Sequence, residues 1–391
     1  MTKDHSVFGM GKGASIEEVR LTELSEGDHI VTPRELPVPS ERKKLDLLEK
    51  ASELQGYFTG DMELEEYRGE LKDQAGKKGY SRSAVQYWVR EQILPAEILD
   101  SIDIEPEPGD LEYKHKRQSS TVPAEIELDS RMMEFLGLWM ADGCYDNRSV
   151  LVTVSDGAAR EVVSNVFERF DLPVKQHSDG HTLLANSQPL KEVMEKYGFE
   201  GDAHTKRIPE WLFSASDEQR HSFLRGLYSG DGYSTEHEVG IDLVNDDLVE
   251  DIQTMLLMDG IRGRAGDSGK MRSMRISDLE GLKEFKQKIG FLQDYKDDNL
   301  QLEQKESTHD TTDVVPIPLN IMEELCENQV SLQKNDYVTR GNNLGRQKLK
   351  QVASTAEGEL LERLKGFSDS EIFWDQVRSV EKVREEGTVY D

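Results

Sequence analysis

An internal repeat between residues 129 and about 305 constrains the fold of this chain more than any other feature. The segments FLGLWMADGCY (135–145) and FLRGLYSGDGYS (223–234) resemble each other, and each is followed by a helical pattern that ends in Gly-Phe (190–199 and 282–291). Alternating segments typical of strands lie between them. Such self-similarity indicates two copies of one supersecondary unit. We therefore predict an α+β domain in which each copy runs helix, two strands, helix, two strands, helix.

Each copy contains a helix that ends in a small residue, Asp and Gly, and one face of each helix carries a small residue every four positions. These small residues are Gly137 and Ala141 in the first copy, and Gly226 and Gly230 in the second. Small residues four apart let two helix backbones approach closely. The next glycine, Gly143 or Gly232, is predicted to end its helix in the left-handed conformation. Asp142 and Asp231 are then expected together at the base of a packed helix pair.

The two aspartates indicate metal-assisted chemistry. Two carboxylates in one small volume repel each other, and the C-termini of helices add partial negative charge at the same place. A hard divalent cation such as Mg²⁺ neutralises both. Metal ions held between carboxylates and a phosphodiester activate water and stabilise the departing oxygen. The expected reaction is phosphodiester hydrolysis with Mg²⁺ or another divalent metal as cofactor.

The repeat resembles the LAGLIDADG, or DOD-type, homing endonucleases, whose motif is a packed helix ending in a metal-binding acidic residue. FLGLWMADG and LRGLYSGDG are the matching segments, with Met140 and Ser229 in place of the acid at the sixth position, which is variable in the family. The resemblance implies a site-specific, Mg²⁺-dependent endonuclease for double-stranded DNA that acts as a pseudo-symmetric monomer. It assigns residues 129–310 to the endonuclease and makes Asp142 and Asp231 the metal ligands.

Two lysines are candidates for a catalytic role by the same resemblance. Lys206 lies in the segment HTKRIPEWL, where these enzymes often carry a lysine near the scissile phosphate, and Lys296 follows KIGF in the second copy. Either lysine would stabilise charge or orient water at the phosphate. A solvated surface lysine is the alternative at both positions.

Both end segments resemble the splicing domain of an intein. Thr2 and His5 match the Thr-x-x-His block that polarises the upstream splice junction, and the segment that ends in Asp391 resembles the first half of the penultimate intein block. Residues 1–40 and 368–391 are therefore predicted to be remnants of the β-rich splicing (Hint) fold. Splicing also needs a Cys or Ser nucleophile before the first block and a His-Asn pair after the last, and this chain shows neither. We expect a fragment that cannot splice alone.

The densest basic stretch, GIRGRAGDSGKMRSMRIS, lies on presumed strands of the second copy. Enzymes of this family read the major groove of DNA with strand side chains, so the stretch holds candidate DNA contacts. The candidates are Arg262, Arg264, Lys270, Arg272 and Arg275. Side chains alternate along a strand, so only about half of these can face DNA. The alternative is a solvated basic face that balances acidic neighbours.

The region before the repeat predicts a further DNA contact. Residues 41–102 look helical, and KKGYSRSAVQYWVREQ within them predicts a helix-turn-helix whose second helix carries Arg82 and Arg90 to DNA. A helical hairpin with Tyr87 and Trp88 in its core is the alternative. The remaining segments are a linker rich in Pro and charge at 103–128 and a helical, basic connecting region at 311–367.

A formal net charge of −29, from 77 acidic and 48 basic residues, distinguishes the composition. An acidic surface normally repels phosphate. These acids are spread along the chain as in proteins kept soluble in concentrated salt, where the screening length is about 3 Å at 1 M. We infer a halophile's cytosol, so the net charge does not exclude DNA. Cys144 and Cys326 lack the partners of a disulfide framework or zinc site, and no segment suits a signal peptide or membrane span, so a cytoplasmic location is expected.

Two other functions stay open on the sequence alone. The first is a DNA-binding protein without catalysis, either a decayed endonuclease or a regulator. Intact Asp142 and Asp231 argue against decay, whereas Met140 and Ser229 leave it open. The second is a splicing-active intein whose missing ends are encoded by neighbouring reading frames.

Overall fold

The computed structural model describes residues 5–116, 118–302, 312–328, 332–354 and 359–381. Thr2 and Asp391, two of the residues assigned to a splicing remnant, lie outside the described residues. Within the described ranges, no helix combines the length and apolar character that crossing a bilayer requires.

In the part of the chain that the structure describes, short strands and three α-helices precede the repeat. The strands are β1 (Ser6–Met10), β2 (Ile16–Arg20), β3 (His29–Pro33), β4 (Lys44–Asp46), β5 (Tyr57–Gly60), β6 (Ile93–Pro95), β7 (Leu111–Lys114), β8 (Thr121–Pro123) and β9 (Glu125–Glu127). The helices are α1 (Arg68–Lys77), α2 (Arg82–Glu91) and α3 (Ala96–Leu99). An antiparallel sheet has the strand order β6-β5-β7-β8, and β4 pairs with β9. This sheet and its helices form an insert between the N-terminal strands and the repeat.

The structure differs from the sequence prediction in two parts of this insert. Residues 103–128, predicted to be a linker, supply β7, β8 and β9, because apolar side chains such as Leu111, Tyr113 and Val122 alternate with polar ones and are buried. Pro123 ends a strand and does not interrupt one. The region 41–102 is mixed and not simply helical, since it also contributes β4, β5 and β6.

The repeat forms one domain of two similar halves. The first half contains α4 (Ser130–Asp142), β10 (Gly143–Asp146), β11 (Ser149–Thr153), α5 (Gly157–Arg169), β12 (Lys175–Gln176), β13 (Thr182–Asn186) and α6 (Gln188–Lys196). A connecting helix α7 (Glu210–Phe213) leads to α8 (Asp217–Asp231), β14 (Gly232–Ser234), β15 (Val239–Leu243), α9 (Asp246–Met258), β16 (Arg264–Ser268), β17 (Met271–Ile276), α10 (Leu279–Glu284) and α11 (Asp294–Asn299). The two antiparallel sheets have matching orders, β10-β11-β13-β12 and β14-β15-β17-β16. The predicted α+β fold is confirmed.

Segments from before and after the repeat pack together around a second, smaller apolar core. The C-terminal elements are β18 (Val314–Val315), α12 (Leu319–Asn328), β19 (Leu344–Gly345), α13 (Arg346–Ser354), α14 (Glu359–Asp369) and β20 (Ile372–Gln376). Strand β20 pairs antiparallel with β3, which completes a sheet of order β2-β1-β3-β20. Ala14 from the N-terminal part packs with Met322, Leu349 and Trp374 in this core.

Helices α4 and α8 pack against each other at the centre of the repeat domain. Every residue of α4 from Met132 to Met140 is buried, as expected for a helix covered on all sides. A Cβ atom at Gly137 would lie 2.1 Å from the carbonyl oxygen of Phe223, and one at Gly226 would lie 2.1 Å from that of Glu134. Glycine is therefore required at both positions, because the two backbones are in contact.

We predict that Gly137→Ala destabilises the protein by about 3 kcal/mol or more, because the added methyl group forces the two helices apart. Gly157→Ala is the matched control: a Cβ atom there meets no heavy atom within 4 Å, and we expect a change below about 1 kcal/mol. Urea denaturation of both variants measures the difference. Equal stability of the two variants would contradict a backbone contact at Gly137.

Candidate active site

The two central helices end side by side in the sequence Asp-Gly. Gly143 has φ −89° and ψ 153°, and Gly232 has φ −80° and ψ 158°, so both are extended and each begins the first strand of its half. The left-handed helix end predicted from the sequence is wrong. Glycine is needed for space, because a Cβ atom at Gly143 would lie 2.3 Å from the Trp139 ring and one at Gly232 would lie 2.5 Å from the Tyr228 carbonyl oxygen.

Asp142 and Asp231 occupy these helix ends and influence each other. The Asp142 side chain is exposed, whereas Asp231 is partly buried. Burial, together with the neighbouring Asp142 carboxylate, raises the pKa of Asp231 to about 6. Partial desolvation also raises the pKa of Asp142, and the nearby Lys206 ammonium opposes that rise. The structure therefore brings the two predicted metal ligands close enough for like-charge repulsion.

The donor set suits a metal ion that shares its coordination with a substrate. Among the residues that the structure describes, no three or more His, Cys, Asp or Glu side chains cluster to form a protein-only metal site. Mg²⁺ is commonly held by one or two carboxylates together with substrate phosphate and water. Asp142 and Asp231 fit that pattern, because a cation held by both would offset the burial and the like-charge repulsion that raise the pKa of Asp231.

Lys206 is buried beneath the end of α4. Its Nζ donates hydrogen bonds to the carbonyl oxygens of Trp139 at 2.9 Å, Met140 at 3.1 Å and Gly143 at 2.7 Å, with a longer contact to Ala141 at 3.4 Å. A cation at this place neutralises the partial negative charge of the helix C-terminus. Burial lowers the pKa of Lys206 to about 8, against the opposing effect of both aspartates. Lys206 is not a solvated surface lysine, since it is only 4% exposed.

Lys296 occupies the equivalent place beneath α8. Its Nζ donates to the carbonyl oxygens of Ser229 at 3.0 Å and Gly232 at 2.7 Å. The sequence pattern thus located both lysines beside the aspartates. It did not predict that their ammonium groups contact backbone carbonyls, because those contacts join segments more than 60 residues apart.

The sixth position of each motif is filled by a buried residue. Met140 is 1% exposed and Ser229 is 3% exposed. The Ser229 hydroxyl accepts a hydrogen bond from the backbone N–H of Leu292 at 2.8 Å, and Gln293 donates to the Ser229 carbonyl oxygen at 3.0 Å. Ser229 and Gln293 therefore fix the segment that carries Lys296, a structural role that the sequence did not indicate.

The second sheet separates the predicted DNA contacts into two faces. Val239, Ile241 and Met274 are buried on the face toward the core, so Arg264 and Arg275, which pair with each other in register, lie on the opposite face. Lys270 is exposed in the turn between β16 and β17. Acidic neighbours, Glu238 at 3.9 Å and Asp242 at 3.8 Å, hold the Arg275 guanidinium.

Two other arginines of this stretch have structural partners. Arg262 is 5% exposed, and its guanidinium contacts Asp278 at 3.3 Å and Glu280 at 3.0 Å. Its assignment as a DNA contact is wrong, because the side chain is buried in an ion-pair network. Arg272 alternates onto the core-side face and pairs with Asp267 at 2.8 Å, so it is also directed away from the open face.

The remaining predicted site residues lie outside the repeat. Arg82 and Arg90 are exposed on α2, where Tyr87 is 48% exposed and Trp88 is buried. The alternative that placed both aromatic residues in a core is therefore wrong for Tyr87. His5 directly precedes β1, and its carbonyl oxygen accepts a hydrogen bond from the backbone N–H of Leu21 at 3.2 Å.

Proteins of several kinds share sequence with this chain. Elongation factor 2 of Methanopyrus kandleri is 22% identical over 100% of this chain and 33% of its own length. An iron-sulfur cluster assembly SufBD family protein of Mycobacterium leprae is 27% identical over 44% of this chain and 21% of its own. Replication factor C small subunit of Methanocaldococcus jannaschii is 26% identical over 44% of this chain and 10% of its own. The chain thus spans a third or less of the length of these relatives.

Two solved structures are similar over part of the chain. I-DmoI in complex with DNA and Mn is 16% identical, with a TM-score of 0.34, over 42% of this chain and 98% of that chain. The N-terminal LAGLIDADG domain of DUF199/WhiA is 18% identical, with a TM-score of 0.32, over 42% of this chain and 84% of that chain. Residues 218–290, which begin in α8 and include Asp231, match the family model described as a LAGLIDADG-like domain. The chain therefore contains a LAGLIDADG-like domain.

Proposed function

We propose that this chain is a site-specific endonuclease for double-stranded DNA that uses Mg²⁺ or another divalent metal ion. The observation that carries the proposal is the pair of acid-ended helices, α4 and α8, whose backbones are in contact at Gly137 and Gly226 and whose ends bring Asp142 and Asp231 together. A protein without a catalytic or metal-binding use for this pair would gain stability by losing one of the charges.

The aspartates, the lysines and the arginine of the site have different roles in this proposal. Asp142 and Asp231 hold the metal, which when bound supplies activation of water and stabilisation of the departing oxygen. Lys206 and Lys296 act as positioning residues, because their ammonium groups fix the backbone at which each aspartate is attached. Arg264, on the open face of the second sheet, contacts DNA.

We further propose that the endonuclease is embedded in an intein-type splicing element. Its relatives are an elongation factor, an iron-sulfur assembly protein and a replication factor subunit, and the shared segment occupies a third or less of each. A segment that recurs in proteins of unrelated activity is typical of an insertion. The pairing of β3 with β20 agrees with this, because it brings sequence from both sides of the repeat into one sheet.

Loss of either aspartate is expected to abolish DNA cleavage while leaving binding intact. Duplexes selected from a randomised library by the full chain in Ca²⁺ are offered with Mg²⁺, in both low and molar KCl because the acidic composition predicts tolerance of salt. We expect Asp142→Asn and Asp231→Asn each to slow double-strand cutting by about a thousandfold or more. Asp61→Asn, an exposed site in the insert, is the control and should cut like the wild type.

Two outcomes of this assay would contradict the proposal. The first is cutting by the Asp142→Asn or Asp231→Asn variant at the wild-type rate. The second is wild-type protein that binds its selected duplex but cuts it in neither Mg²⁺ nor Mn²⁺, which would favour a DNA-binding protein without catalysis.

Removing the charge of Asp231 is expected to stabilise the metal-free protein. The pKa of Asp231 in the folded state, about 6, lies above its ordinary value of 3.8. The ionised carboxylate therefore destabilises the folded state increasingly as pH rises through this interval, and the effect is complete above about pH 6. We expect Asp231→Asn to raise Tm in EDTA at pH 8, with a gain that disappears toward pH 4. Unchanged Tm at pH 8 would contradict burial of a repelled charge.

The two lysines are expected to differ in how much stability they contribute. Lys206→Met leaves buried carbonyl groups of α4 without a donor and should cost about 2 kcal/mol or more in urea denaturation. Lys296→Met should cost less, because Lys296 is less buried and contacts fewer carbonyl oxygens. Lys175→Met, at an exposed position on β12, is the control. Wild-type stability of Lys206→Met would contradict the positioning role.

A further inference from the structure

We infer that α2 is a second DNA-reading surface, separate from the open faces of the two repeat sheets, and that it extends the recognised sequence on one side only. The inference rests on the proposed endonuclease function, because it concerns the length of the DNA that this enzyme recognises. We propose that α2 binds in the major groove of double-stranded DNA.

The segment that contains α1 and α2 is basic, whereas the chain as a whole is acidic. Residues 68–91, which contain α1, α2 and the turn between them, hold six basic and three acidic residues, whereas the whole chain has a net charge of −29. The basic residues are Arg68, Lys72, Lys77, Lys78, Arg82 and Arg90. Arg68 and Lys78 pair with Glu65 and Glu97 just outside this range, so the local excess of positive charge is small. Such an excess on an acidic protein favours a phosphate-bearing partner, especially where salt screens the more distant acids.

The exposed face of α2 carries the side chains that read base edges. Ser83, Gln86, Tyr87 and Arg90 are all exposed, and their spacing places them on one side of the helix. In the major groove, Arg hydrogen-bonds to guanine and Gln to adenine, and Ser can hydrogen-bond to either base. The Arg90 guanidinium lies 5.9 Å from the centre of the Tyr87 ring, and its ion pair with Glu91 is exposed and therefore weak enough to exchange for DNA.

The opposite face of α2 holds the helix firmly in place. Val85, Trp88 and Val89 are buried, and the Tyr80 and Trp88 rings contact edge to face with centroids 5.0 Å apart. Ser81 caps the helix by accepting a hydrogen bond from the Ala84 backbone N–H at 3.2 Å. A rigidly seated helix that follows another after a four-residue turn is the arrangement that places a recognition helix in the major groove.

The sheet of the insert packs against α6 of the first half of the repeat domain, whereas the chain just before β4 hydrogen-bonds to Gln219 of α8. The Tyr113 hydroxyl of β7 and the His115 ring both hydrogen-bond the buried Glu192 carboxylate of α6. The Gln55 backbone N–H donates to the other oxygen of Glu192 at 2.8 Å. Because α6 packs against both β11 of the first half and β7 and β8 of the insert, we expect DNA bound along the sheet of this half to continue toward the insert. The contact with α2 is therefore expected to extend one half-site only.

The test compares variants that all keep the proposed active site. Arg82→Ala/Arg90→Ala and Gln86→Ala/Tyr87→Ala remove exposed groups of α2. The control, Arg42→Ala/Arg131→Ala, removes the same charge at positions 58% and 53% exposed, beside the N-termini of α8 and α4 and thus at the opposite end from the aspartates. Full-length proteins are assayed for binding, footprint and cleavage on duplexes selected by the wild type, and their Tm values confirm folding.

We expect both α2 variants to shorten the footprint on one side and to weaken binding at least tenfold, while the position of the cut stays the same. The arginine variant should also lower the slope of log affinity against log salt by about 2. The control should match the wild type. A full-length footprint and wild-type affinity in both α2 variants, with cutting retained, would overturn the inference and leave the endonuclease intact. Wild-type protein that binds no duplex would overturn both.

Discussion

The close crossing of α4 and α8 at Gly137 and Gly226 determines where the aspartates and the two sheets of the repeat domain lie. Because the two backbones touch, the helices run together to the same end and deliver one aspartate each to a single place. Each helix then passes directly into the first strand of its half, so the two four-stranded sheets are attached on either side of the aspartate pair. A single contact between glycines thus sets the geometry of both the metal ligands and the sheets.

The same closeness creates an electrostatic problem that the fold only partly solves. Two carboxylates and two helix C-termini share one region, and each contributes negative charge. Lys206 and Lys296 offset part of it by contacting the last carbonyl groups of their helices. Burial, and after it the remaining repulsion from Asp142, raises the pKa of Asp231. Stability is therefore lost at the place where a cation and a phosphodiester would be bound, which is the usual relation between a strained site and its function.

Local patterns in the sequence predicted the repeat, the strand alternation and the position of the aspartates, since these depend on spacing alone. What the sequence could not show depends on contacts between distant segments. Arg262 looks like a surface cation until Asp278 and Glu280 bury it, and the contacts of the Lys206 ammonium group with backbone carbonyl oxygens join segments more than 60 residues apart. Gly143 was predicted to adopt the left-handed conformation, but glycine is needed there because the neighbouring Trp139 ring leaves no space for a Cβ atom. Short strands such as β7 are too brief for their alternation to outweigh a composition rich in Pro and charge.

The most direct measurement of the central claim is a crystal structure of the full chain bound to its selected DNA duplex in Ca²⁺, an ion that takes oxygen ligands at about 2.3–2.6 Å. We expect an ion that contacts the carboxylates of both Asp142 and Asp231 and a phosphate of the duplex, with the Lys206 and Lys296 ammonium groups still hydrogen-bonded to the same backbone carbonyl oxygens. A duplex bound elsewhere on the protein, or an aspartate pair that holds neither ion nor phosphate, would contradict this claim.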